Sequence, residues 1–118
     1  MTNPNESGTA ASVELRSINH LFARQYIELT ERVHVAVGYG VSTFSFVIGD
    51  TGVVAVDSGS VPQLSAEAIA DLRQRTDLPI LALIYTHGHP DHTGGAPAFL
   101  EENPDTVSYT HLTLPTKA

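Results

Sequence analysis

The chain has 118 residues, 42% of them hydrophobic, a composition that suits one small domain with a modest core. Six Lys and Arg against 13 Asp and Glu leave a formal charge of −7, a field that repels a phosphate backbone and argues against nucleic acid as a partner. Cysteine is absent, so disulfides, thiolate metal sites and a cysteine nucleophile are excluded, and a metal site would have to use His and carboxylate.

The opening MTNPNESGTAASVELRS lacks both the basic start and the apolar core of a secretory signal, and residues 1–14 read as a flexible leader. No apolar stretch approaches the roughly 18 to 20 residues that cross a bilayer, so no membrane span is expected and the default compartment is the cytoplasm. LRSINHLFARQYIELTERV is loosely amphipathic around His20, and its periodicity leaves a short helix and an irregular arm both open. RVHVAVGYG alternates branched residues with others and stops at Gly38 and Gly40, as a strand does. TFSFVIG is a second strand, and the turn signal GDTG joins it in an antiparallel hairpin to VVAVD, a strand that ends at Asp57. QLSAEAIADLRQRT sets Leu64, Ala68, Ile69 and Leu72 at helical spacing, with Pro62 near the start where a missing N–H is tolerated. LPILALIYT is a near-continuous apolar run, the pattern of a strand covered on both faces. GGAPAFLEE then begins another helix, Gly94 and Gly95 letting the backbone pass close to whatever the preceding loop holds.

That loop is YTHGHPDHTGG, which carries His87, His89, Asp91 and His92. Strand, helix, buried strand, loop and helix make an α/β arrangement, in which ligands lie outside the carboxyl ends of the strands. His87 and His89, two positions apart, share a side of an extended loop, and Asp91 and His92 follow where the chain bends toward the next helix. Neutral imidazoles suit zinc or iron, and a carboxylate favours a hard or borderline ion. The set can therefore divide between two neighbouring metals, His87 and His89 on one, Asp91 and His92 on the other. Isolated histidines such as His20 and His34 read as structural. The order His-x-His-x-Asp-His between a buried strand and Gly-Gly reads as a metal loop.

THGHPDHTGG, with VVAVDSG upstream, resembles the metal motif of the metallo-β-lactamase superfamily. The resemblance implies an αββα sandwich of two sheets flanked by helices, of which only the N-terminal half is present. It also implies that Asp57 ends a strand beneath the metal loop and braces it without being a ligand. Two divalent ions are implied, Zn²⁺ foremost, with a bridging water acidified to a pKa of about 7 as the nucleophile. Asp91 would serve as ligand and catalytic residue at once, orienting that hydroxide. Ser58 and Ser60 read as turn residues rather than nucleophiles.

Within the superfamily, GYGVSTFSFVIGDTGVVAVDSGS followed by LRQRTDLPILALIYTHGHPDHTGGAPAFL is most similar to the alkyl sulfatase group, which cleaves sulfate from long-chain alkyl esters. The similarity runs from Leu15 to Leu100, and Phe44-Ser45 stands where such proteins commonly show Asn-Ser. It implies a small-molecule ester as substrate and a homodimer for the full-length protein. A hydroxyacyl-thioester hydrolase, a lactonase or a β-lactamase would share every motif present, and a non-catalytic metal-binding fragment is the third class.

A binuclear site needs roughly six to eight protein donors. The loop offers four, and after it His111 is the only further histidine. His111 sits in VSYTHLTLPT, which coincides with one reading frame of a transposase-end sequencing adapter. Residues 107–118 therefore read as a non-native tail, and residues 15–106 as the N-terminal part of a domain whose other ligands lie further on.

Overall fold

The computed structural model describes residues 23–109; the leader, His20 and His111 lie outside the described residues. Strands β1 (Gln25–Glu28), β2 (Val33–Val37), β3 (Phe44–Ile48) and β4 (Val53–Val56) are followed by helix α1 (Pro62–Arg73) and strand β5 (Ile80–Ile84). Then come the helical turn α2 (Pro90–Thr93), helix α3 (Ala96–Glu102) and strand β6 (Val107–Tyr109). The six strands form one mixed sheet in sequence order. Pairing is antiparallel from β1 to β4 and parallel from β4 through β5 to β6.

The hairpin expected at GDTG is β3–β4, closed by the Gly49 amide donating to the Gly52 carbonyl at 2.7 Å. The helix expected from Leu64 to Leu72 is α1, with Pro62 in its first turn and Ser65, Ala68, Ile69 and Leu72 on its buried face. The segment left open between helix and arm contributes β1. Its Tyr26 turns inward onto Phe46 and His34, and pairing with β2 overrides a weak helical period.

One face of the sheet carries the core. Ala36, Phe44, Phe46, Val53, Ala55, Ile80 and Leu83 point at Ala68, Ile69 and Leu72 of α1 and at Ala98 and Phe99 of α3. Phe44 meets Tyr39, Phe46 and Phe99 at centroid separations of 6.1 to 6.4 Å, edge to face in each case. Each such buried ring contributes about 2–3 kcal/mol through removal from water, with a further increment from the edge contacts.

The expectation that β5 is covered on both faces is not met among the described residues. Its register against β4 shifts between Val53 and Val54, so Val53 faces Ile80 and Val54 faces Ala82. Leu81 is the extra residue of that bulge and stays exposed, while Ile80 and Leu83 both reach the core. On the opposite face Ile27, Val33, Val35, Val54, Val56, Ala82 and Ile84 are half-buried and Val47 is exposed. One helical layer on one sheet is half of an αββα sandwich.

Val107–Tyr109, the start of the segment read as a non-native tail, forms the edge strand β6, and Tyr85 N–H donates to the Tyr109 carbonyl at 2.9 Å. Such pairing uses main-chain groups that any extended segment carries.

Candidate metal centre

The parallel strands β4 and β5 end side by side, and the chain leaves each of them into one half of the site. Asp57, the first residue after β4, still donates its amide to the Ile84 carbonyl at 2.7 Å, but its φ of 65° turns the chain out of the sheet. A left-handed conformation costs an L-residue about 1–2 kcal/mol, least for Asp and Asn. The strain aims a buried carboxylate at the loop after β5.

There Asp57 accepts three donors. Thr86 N–H reaches Oδ1 at 2.8 Å, the Thr86 hydroxyl reaches Oδ2 at 2.8 Å, and His92 Nδ1 lies 2.8 Å from Oδ2. A carboxylate only accepts, so Nδ1 of His92 carries a ring proton, and Nε2 is the lone-pair atom whenever the ring is neutral. The same logic extends one bond further. Thr86 has a single hydroxyl proton, directed to Asp57, so its oxygen accepts from His87 Nδ1, 3.0 Å away. One carboxylate thereby sets the tautomer of two histidines and leaves both Nε2 atoms free as ligands.

The rings of His87 and His92 are 4.1 Å apart and those of His87 and His89 are 4.7 Å apart. Asp91 stands in the first turn of α2 with Oδ2 3.4 Å from His92 Nε2. All four residues expected in the loop are thus brought to the carboxyl end of β5, partly or fully open to solvent. Among the described residues, however, no three of these side chains focus their donor atoms as a bound ion requires. The rings pack against one another and Asp91 lies against an imidazole instead. The chemistry of the set nevertheless fits a borderline divalent ion: three imidazoles, two of them oriented through Nδ1, and one carboxylate.

Four hydroxyls that carried no functional expectation also converge here. Beside Thr86, the hydroxyl of Ser42 donates to the Asp91 carbonyl, that of Ser58 to the His92 carbonyl at 2.9 Å, and that of Ser65 to the Ser58 carbonyl. Ser58 is fully buried and holds α2, which the reading of it as a turn residue did not foresee. The signal that could have found it is the pairing of Ser-Gly-Ser after one strand with Gly-Gly after the next, since both imply close backbone approach.

His34, read as structural, is 2% exposed, with Nδ1 2.8 Å from the Tyr26 hydroxyl. It lies on β2, three strands away from β5 in the sheet. Among the described residues no helix is long and apolar enough to cross a membrane.

The family model described as the metallo-beta-lactamase superfamily matches residues 38–117. Among curated proteins, a linear primary-alkylsulfatase from a Pseudomonas strain is 43% identical over 51 residues, 43% of this chain and 10% of the relative. Another linear primary-alkylsulfatase, from Pseudomonas sp., is 33% identical over 91 residues, 75% of this chain and 13% of the relative. The chain therefore spans about a tenth to an eighth of the length of these relatives. Among solved structures, the inverting sec-alkylsulfatase Pisa1 from Pseudomonas sp. superposes with a TM-score of 0.63 at 22% identity, over 72% of this chain and 14% of that one.

Proposed function

Because the chain belongs to the metallo-beta-lactamase superfamily, we propose that it is part of a metal-dependent hydrolase of alkyl sulfate esters, with two divalent ions, Zn²⁺ by preference. The observation that carries the reading is the group of His87, His89, Asp91 and His92 at the carboxyl end of β5, two of its rings oriented through Asp57. The alkylsulfatase names of its relatives support the substrate class.

His87, His89, Asp91 and His92 would hold the ions. When bound, such ions supply Lewis acidity toward the ester oxygens and lower the pKa of water to about 7. Asp57 keeps the ring protons of His92 and, through Thr86, of His87 on their Nδ1 atoms, turning both Nε2 lone pairs outward. The Asp91 carboxylate, in the turn beside His92, accepts a hydrogen bond from the attacking water and aims its oxygen at the substrate. Catalysis rests on positioning and electrostatics, with no serine nucleophile.

The test uses the complete protein. Sulfate released from dodecyl sulfate is followed before chelation, after it, and after Zn²⁺ is restored, with elemental analysis alongside. Activity that disappears and returns supports the reading, as does metal lost in the variant carrying His87→Ala and His92→Ala. A metal-loaded protein that ignores alkyl sulfates yet opens lactones or thioesters belongs to another substrate class of the same superfamily.

A further inference from the structure

α2 is a single helical turn, and its carbonyls cannot all be satisfied from within. The amides of His92 and Thr93 donate to the His89 carbonyl, and that of Gly94 to the Pro90 carbonyl. The next amide in line, that of Gly95, would serve Asp91 in a continuing helix. It is diverted instead to the Gly59 carbonyl, at 2.9 Å. Among the described residues the carbonyls of Asp91 and His92 are therefore left without a donor from the turn itself.

Each is met from a different loop. The Ser42 hydroxyl, from the β2–β3 connection, donates to the Asp91 carbonyl. Ser58, from the β4–α1 connection, donates both its amide, at 2.8 Å, and its hydroxyl, at 2.9 Å, to the His92 carbonyl. Ser58 is in turn held by Ser65, whose hydroxyl, on the buried face of α1, donates to the Ser58 carbonyl. Gly95 is the condition for this approach, because a Cβ there would overlap the Ser58 carbonyl and the Ser65 hydroxyl.

We propose that Ser42 and Ser58 are positioning residues of the metal centre, clamping the main chain of the turn that bears Asp91 and His92, with Ser65 as the anchor of Ser58. The proposal rests on the metal-binding reading above. Asp57 fixes the ring of His92; the serines fix the peptide units from which Asp91 and His92 project. Ser42 is the more exposed to loss. Its removal leaves the Asp91 carbonyl without a donor among the described residues, whereas without its hydroxyl Ser58 still offers His92 an amide.

The test is made on the complete protein with Co²⁺ in place of Zn²⁺, since the visible spectrum of Co²⁺ follows ligand geometry while its affinity is measured by chelator competition. Ser42→Ala is expected to shift the Co²⁺ bands and weaken binding about tenfold, the lower end for groups that orient ligands. Ser58→Ala should weaken it less, and Ser42→Thr, which restores a hydroxyl, should return spectrum and affinity to those of the parent. Thermal midpoints should stay within a few degrees. An unchanged spectrum and affinity in Ser42→Ala overturns the proposal while leaving the metal reading intact, as does a loss that Thr does not restore. If Ser42→Ala does not fold, a parent-like spectrum in Ser58→Ala overturns it equally. A parent protein that binds neither Co²⁺ nor Zn²⁺ overturns both readings.

Discussion

Replacing Asp57 separates its two roles, holding the loop and orienting the rings. Alanine removes the acceptor of the Thr86 amide, the Thr86 hydroxyl and His92 Nδ1. Leaving donors unpaired costs about 1–3 kcal/mol each where water is excluded. Thr86 is exposed and His92 half-buried, so their freed donors rehydrate and the lower figure applies. About 3–4 kcal/mol in all follows, once the poorer fit of alanine to φ of 65° is added. Asparagine behaves differently. It accepts the left-handed backbone as readily as aspartate, and the Thr86 amide selects its oxygen for the Oδ1 position. Its NH₂ then stands where Oδ2 faced His92, 2.8 Å away. Two donors cannot face each other, so the His92 proton moves to Nε2, the atom the metal needs. Asp57→Asn is therefore expected to cost only about 1 kcal/mol of stability yet 10- to 100-fold in metal affinity. Urea denaturation of the complete apo-protein measures the first, and competition with a chelator the second. Parent-like metal affinity in Asp57→Asn would refute the tautomer argument, and equal destabilisation by Asn and Ala would refute the assignment of the three acceptor bonds.

Gly95→Ala is expected to destabilise the protein by about 1–3 kcal/mol, because the new methyl overlaps the Ser58 carbonyl; Gly88→Ala, where a Cβ meets nothing within 4 Å, should stay within about 0.5 kcal/mol. Denaturation midpoints of the two variants check both. The Tyr39 phenol is pushed up to about 12, first by burial and then by the hydrogen bond it donates to Asp71. The unfolded chain loses this proton near 10.0 and the folded chain only near 12, so the stability is whole below about pH 10 and declines as pH rises toward 12. Burial raises the Tyr26 phenol too, in the same direction, so Tyr39→Phe should reduce the slope of alkaline denaturation without abolishing it; an unchanged slope refutes the account.

The elements legible in the sequence were those with a strong local signal: the hairpin at GDTG, the spaced apolar face of α1, and the apolar run of β5 that ends at the histidines. The sequence by itself shows Asp57 only as the end of a strand; its place beneath the metal loop was implied by the resemblance of VVAVDSG to the superfamily motif. β1 was not legible, because four residues carry too little period and Tyr26 gains its meaning only from Phe46 and His34 across the sheet. The bulge at Leu81 was hidden for the same reason: an unbroken apolar run conceals which residue is extra. The serines were least legible. Ser, like Gly, is common in turns, and the roles proposed for Ser42, Ser58 and Ser65 depend on the carbonyls of Asp91, His92 and Ser58, whose partners are set by the folded chain. Phe44, the departure from the Asn-Ser pattern, is 1% exposed among Tyr39, Phe46 and Phe99, so the substitution joins the core and does not enter the metal loop.

The sheet face turned away from α1 and α3 supports the last prediction. Its Ile27, Val33, Val35, Val47, Val54, Val56, Ala82 and Ile84 are half-buried or exposed. Eight such side chains leave several hundred Å² of apolar surface, on the order of 10 kcal/mol at about 25 cal/mol per Å², as much as the whole stability of a typical domain. Expressed by themselves, the 118 residues are therefore expected to associate and to bind a hydrophobic dye, the net charge of −7 notwithstanding. A second sheet packed here, as an αββα sandwich requires, would reverse the sign of a polar substitution. Val47→Lys with Val54→Thr should make the isolated chain more soluble and the complete protein less stable. Light scattering and dye binding read the first effect, and urea denaturation of the complete protein reads the second. If the same pair of substitutions leaves the complete protein as stable as before, this face is solvent-facing in the native fold, and the second layer does not lie on it.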